Sequence, residues 1–150
     1  MNKLETLKQV CAGYNVALAY LFGSQAEAGM AVLEGKRLIN DDPLTDIDLG
    51  IVFAPGLPEA SSIPDLYAGI YNELADLFLP LPLDLVFIQE NHAVFQAEVV
   101  CGICVYCSDV SFRELFEEDV LRRAADFRPF LEKYLDEFLE EVTSKGDSRQ

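Results

Sequence analysis

The sequence predicts a single α/β domain, a central sheet with helices packed against it, on three observations. Four short apolar runs of strand length alternate with segments of helical period, giving the order αβαβαβαβα. The chain has 150 residues, near the usual size of one domain. Hydrophobic residues make up 51% of it, enough to build one substantial core.

The elements follow in order. Leu4, Leu7, Val10 and Cys11 recur at helical spacing, and Asn15 ends that helix at Tyr14. Val16 to Phe22 is a continuous apolar run that reads as a buried strand, closed by Gly23-Ser24. A helix follows from Gln25 to Leu33 with Ser24 as its N-cap. Glu34 to Leu44 is polar and reads as a loop. Asp46 to Phe53 is the second strand, and the proline-bearing stretch 54–61 a loop. Leu66, Ile70, Leu74, Leu77 and Phe78 form the stripe of a helix from Ser62 to about Leu79, which Pro80 and Pro82 stop. Leu83 to Ile88 is the third strand, His92 to Val100 a short helix with a structural histidine, and Ile103 to Cys107 the fourth strand. A helical tail runs from Val110 to about Val142, interrupted at Pro129, and 144–150 reads as a flexible C-terminus. Phe127, Phe130 and Tyr134 widen the tail's apolar stripe, which suits either broad core contact or a homodimer or hetero-complex.

Charge excludes a class of partner. Twenty-six acids face 11 lysines and arginines, a formal net charge of −15. Nucleic-acid binding depends on neutralising phosphates, so DNA and RNA are set aside; a basic protein is the fitting partner, or the charge serves solubility alone. No apolar run approaches a membrane span, and the first residues lack the layout of a signal peptide, so a soluble cytoplasmic protein is expected. Cys101, Cys104 and Cys107 fall at C-x2-C-x2-C without a fourth thiolate nearby. In a strand, residues three apart point to opposite faces, so these read as packed, reduced thiols rather than a metal site.

The stretch TDIDLGIVF, Thr45 to Phe53, opens a buried-looking strand with Asp46 and Asp48, and contains no lysine or arginine. Alternate strand residues share a face, about 6.5–7 Å apart at Cα. Asp84 holds the second position of the next apolar strand, LDLVFI. If the two strands pair at their heads, three carboxylates converge, repel one another and raise at least one pKa. A hard divalent cation relieves that repulsion, and Mg2+ takes substrate phosphates as further ligands. Gly23-Ser24, between a strand and a helix N-terminus, offers backbone N–H groups and a hydroxyl to an anion. The plainer alternative is three unrelated strand-end aspartates beside an ordinary cap.

Together LFGS, TDIDLGIVF and LDLVFI resemble the polymerase-beta-type nucleotidyltransferase superfamily. The short chain and acidic tail look most like its minimal nucleotidyltransferases (MNT), which are antitoxin partners of HEPN ribonuclease toxins. The resemblance implies a small mixed sheet flanked by helices, in a nucleotidyltransferase domain over 1–143 whose helical tail is 109–143. It implies that Gly23 and Ser24 hold the nucleotide's phosphates, and that Asp46, Asp48 and Asp84 are catalytic and ligate Mg2+ in a two-metal site. It further implies ATP as substrate and a tyrosine hydroxyl of the HEPN toxin as acceptor, whose adenylylation silences the toxin.

The chain departs from that pattern in two places. Relatives carry arginines after Gly-Ser, as in G-S-R-A-R-G, where this chain has Gln25-Ala26-Glu27-Ala28-Gly29. The interval to the D-x-D strand is also long, spanning Met30 to Pro43. Lys36 and Arg37 in that insertion are candidates to fold over the nucleotide and supply the missing charge, or else are ordinary surface cations. Asp41-Asp42 read as a turn beside Pro43 in preference to metal ligands. Two other functions remain open: a small-molecule nucleotidyltransferase of the aminoglycoside type, and a catalytically weak acidic module that neutralises a basic toxin by binding.

Overall fold

The computed structural model describes residues 2–36 and 45–127. Arg37, Asp41-Asp42, the Pro129 interruption, the tail beyond Phe127 and the C-terminus 144–150 lie outside the described residues.

The elements run α1 (Lys3–Gly13), β1 (Val16–Phe22), α2 (Ala26–Leu33), β2 (Ile47–Phe53), α3 (Ile63–Leu74), β3 (Leu83–Phe87), α4 (Ala93–Val100), β4 (Ile103–Cys107) and α5 (Val110–Asp126). The four strands form one mixed sheet in the order β3-β2-β1-β4, with β1 antiparallel to both neighbours and β2 parallel to β3. The parallel pair needs a crossover, which α3 supplies. All seven residues of β1 are buried, as expected of a central strand covered on both faces. On one face Leu21, Ile47, Leu49, Ile51, Leu83 and Leu85 meet α1, α2 and α3. On the other, Leu18, Tyr20, Phe22 and Val52 meet α4 and α5.

Local chemistry explains most boundaries. Asn2 Oδ1 accepts from the Glu5 N–H at 2.8 Å and caps α1. His92 caps α4 through Nδ1, which accepts from the Phe95 N–H at 3.3 Å; its role is structural. The helix expected from Ser62 to Leu79 is α3 followed by a tighter 3-10 turn over Ala75–Phe78, which keeps Leu74 and Phe78 both buried before the prolines. Ile88 belongs to a 3-10 turn, so β3 stops at Phe87.

One expectation fails for an identifiable reason. Cys104 and Cys107 do not point to opposite faces: Cys104 stands opposite Tyr20 and Cys107 opposite Leu18, and both pack on the α4/α5 side. The register shifts between Ala19 and Tyr20, so a bulge adds one residue to β4 and returns Cys107 to the face of Cys104. All four cysteines are free thiols.

Two contacts fix the far face. The buried Tyr20 hydroxyl donates to Glu117 Oε1 at 2.6 Å, and Arg113 Nε donates to the same oxygen at 2.9 Å, which ties α5 to the central strand. Gly102 lets the start of β4 lie against the Leu21 backbone, since a Cβ there would run into the Leu21 carbonyl oxygen. Gly102→Ala is therefore expected to cost about 2–4 kcal/mol of folding free energy, because backbone rather than a side-chain tip must move; urea unfolding measures it. No helix among the described residues is long and apolar enough to cross a membrane.

Candidate active site

The sheet opens at one end into a surface bounded by β1, β2, β3 and the turn into α2. Odd-numbered residues of β2 and β3 fill the core under α1–α3, so Asp48 and Asp84 turn to the opposite face. Helix α4 covers that face over Val52, where Ile88 and Val99 pack, and Asp48 and Asp84 lie beyond that cover. Asp48 is directly opposite Asp84 in the parallel ladder and opposite Phe22 in the antiparallel one.

Asp46 is not part of β2. The strand begins at Ile47, whose N–H donates to the Pro82 carbonyl at 2.8 Å, and Asp46 sits exposed just ahead of it. Asp48 is part-buried and Asp84 is exposed. Asp48's carboxyl is pushed up from 3.8 to about 6, first by burial, then by the charge of Asp84 and a hydrogen bond with it, and further by Asp46 and Glu98. Burial and the neighbouring acids thus act in the same direction, against the ionised form of Asp48.

The folded pKa of Asp48 lies above its ordinary value, so the folded chain holds that proton more tightly than the unfolded one does. The stabilisation is complete below about pH 4 and is lost as pH rises through about 6. Without divalent metal, the protein is expected to lose about 1–2 kcal/mol relative to Asp48→Asn across that window, a figure reduced for partial exposure. Urea unfolding in chelator from pH 4 to 8 checks it.

Gly23 has φ +75°, and a Cβ added there would lie 2.5 Å from Asp48 Oδ2. The turn is therefore seated against the aspartate, in a backbone conformation that glycine adopts freely. Ser24 is exposed in that turn and does not cap α2: Gln25 takes the cap position, with no capping hydrogen bond from its side chain, because the left-handed step at Gly23 places the first helical residue at Ala26. Beside the turn is an open cleft of about 380 Å3, lined by Phe22, Gly23, Ser24, Glu27, Glu98 and Cys101 among others. Lys36 does not line it; its Nζ pairs with Glu34 at 3.2 Å on the surface.

The structure thus brings together Gly23, Ser24, Asp48 and Asp84, with Asp46 at the rim, while Lys36 pairs with Glu34. Glu98 was missed by sequence reasoning. It is one exposed acid on a helix whose placement depends on the tertiary packing of α4, and no motif marks it.

The donor set suits a hard cation. Among the described residues no three His, Cys, Asp or Glu side chains stand close enough to enclose a metal ion by themselves. Mg2+ seldom requires such a cage: one or two carboxylates plus waters and substrate phosphates suffice. Asp48 and Asp84, directly opposite in the parallel ladder, are two hard oxygen donors side by side at the end of the sheet.

The family model described as polymerase beta, nucleotidyltransferase matches residues 5–111. No curated protein matches the chain significantly. Among solved structures, one of a toxin–antitoxin with AMP-PNP is 16% identical, with a TM-score of 0.59, over 91% of this chain and 98% of that one. A second, of the toxin–antitoxin MntA–HpeT with two aspartate-to-glutamate substitutions, is 16% identical with a TM-score of 0.61 over the same shares. A third, of a tri-AMPylated Shewanella oneidensis HEPN toxin in complex with MNT antitoxin, is 16% identical with a TM-score of 0.56, over 91% of this chain and 96% of that one. At such identity these structures establish a shared fold.

Proposed function

The chain belongs to the polymerase-beta nucleotidyltransferase family, and on that premise we propose that it transfers an adenylyl group from ATP to a hydroxyl, a tyrosine's, on a HEPN toxin, and acts as the antitoxin of that partner. The observation that carries the reading is the in-register pair Asp48 and Asp84 with the Gly23 turn closed against Asp48. The similar solved complexes, one with AMP-PNP and one with a tri-AMPylated toxin, supply the nucleotide and the acceptor class by analogy of fold.

In this reading the acceptor oxygen forms a bond to the α-phosphorus, and the bond from that phosphorus to the bridging oxygen of the β-phosphate breaks. Pyrophosphate leaves with the electron pair. Asp84, exposed on the edge strand, receives the hydroxyl proton. The N–H groups and hydroxyl of the Gly23–Ser24 turn orient the phosphates. Asp48 and Asp84, with Asp46 at the rim, would hold Mg2+, which supplies charge neutralisation for the triphosphate and its leaving group.

A second reading has one observation in its favour: no cation among the described residues lines the Gly23–Ser24 cleft. A purely acidic binding module would have that property. Co-expression with the product of the neighbouring gene separates the two. Transfer predicts that the partner gains the mass of one or more adenylyl groups, and that the Asp46→Asn/Asp48→Asn protein leaves it unmodified. An unmodified partner in a stable complex with the unaltered chain favours the binding module.

A further inference from the structure

Asp84 stands on a strand bonded along one side alone. Strand β3 is five residues long and lies at the edge of the sheet, with β2 as its strand neighbour among the described residues. Two contacts brace its ends against β2. At the head, the Pro82 carbonyl accepts from the Ile47 N–H at 2.8 Å. Past the other end, the Gln89 side chain continues the ladder: its Oε1 accepts from the Phe53 N–H at 2.8 Å and its Nε2 donates to the Phe53 carbonyl at 2.9 Å. Between these braces, the Leu85 carbonyl accepts from the Tyr67 hydroxyl at 2.9 Å. Tyr67 belongs to α3, the crossover that joins β2 to β3. Its ring lies against Phe87, with centroids 5.5 Å apart, and is stacked on Tyr71 at 6.2 Å, so packing aims the hydroxyl at the strand.

An edge strand leaves a row of backbone groups without a strand partner, and such strands open locally more easily than central ones. Here a part-buried hydroxyl takes one of those groups, in the residue next to Asp84. Burial first, and then the charge of Asp84, raise the pKa of the Tyr67 hydroxyl, so the two side chains are within electrostatic reach. We propose that Tyr67 is a positioning residue: its hydroxyl pins the outer edge of β3 and so holds Asp84 level with Asp48. The inference rests on the transferase reading and adds to it a residue that acts through the strand rather than on the nucleotide. Two carboxylates serve one reacting phosphate only while their separation is kept, and a shift of about 1 Å is enough to cost rate.

Tyr67→Phe removes the hydroxyl and keeps the ring. Hydrogen exchange of the amides that β3 donates to β2 is expected to quicken about tenfold relative to those of β1, the scale of one lost hydrogen bond. In transfer to the partner protein, kcat is expected to fall about tenfold with KM for ATP unchanged, the pattern of lost alignment rather than lost binding. Gln89→Leu loosens the same two strands at the end far from Asp84. It is expected to lower stability in urea and leave kcat intact. The proposal falls if exchange in Tyr67→Phe quickens equally across the sheet or not at all. It falls also if KM rises while kcat holds, or if Gln89→Leu lowers kcat as much. Should the unaltered chain transfer nothing, the transferase reading fails, while the exchange result still decides whether Tyr67 pins β3.

Discussion

Asp48→Asn is expected to abolish transfer, by about a thousandfold or more, in a protein that without metal is more stable above pH 6. Both effects have one cause. Asp48 is part-buried beside Asp84 and under the influence of Asp46 and Glu98, so its ionised form is costly in the empty fold. In the proposed transfer that cost favours a bound cation, and losing the carboxylate would remove stabilisation of transition-state charge worth several kcal/mol. Single-turnover transfer with the partner, alongside urea unfolding in chelator, measures both. An Asp48→Asn protein that stays active would remove Asp48 from the chemistry.

Gly23→Ala is expected to lower transfer by about a hundredfold while the fold persists. The φ of +75° costs an alanine about 1–2 kcal/mol. Its Cβ would also come within 2.5 Å of Asp48 Oδ2, so either the turn or the carboxylate must move. Gly23 is exposed at the end of β1 and carries no core packing, which confines the damage to the site. The diagnostic result is a fall in kcat with cooperative unfolding retained. A variant with full kcat would show that the turn need not close on Asp48.

Strands and helices were legible because their apolar periods differ and their punctuation is strong. The uniformly buried β1 and the Pro80–Pro82 stop are examples. The pairing of Asp48 with Asp84 was legible only as a conditional, since nothing local sets the register of two strands joined through α3. The structure supplies that register, directly opposite in a parallel ladder. Asp46 looked like a strand residue, but the backbone enters the sheet at Ile47 through its bond to Pro82. The side on which Cys107 lies depended on a bulge, which alternation rules cannot foresee. Ser24 as a cap failed for a related reason: the left-handed Gly23 delays the helix start to Ala26, and a sequence pattern does not record a backbone dihedral. Glu98 reaches the site only through the packing of α4 on the sheet.

The most direct test incubates the purified chain and its partner with Mg2+ and ATP labelled either at the α-phosphate or at the γ-phosphate. Label from the α-position on the partner protein, none from the γ-position, and loss of label with Asp48→Asn are the predicted results. Label from the γ-position would mean phosphoryl rather than adenylyl transfer, and no label from either in a stable complex would leave the acidic binding module; each contradicts the account.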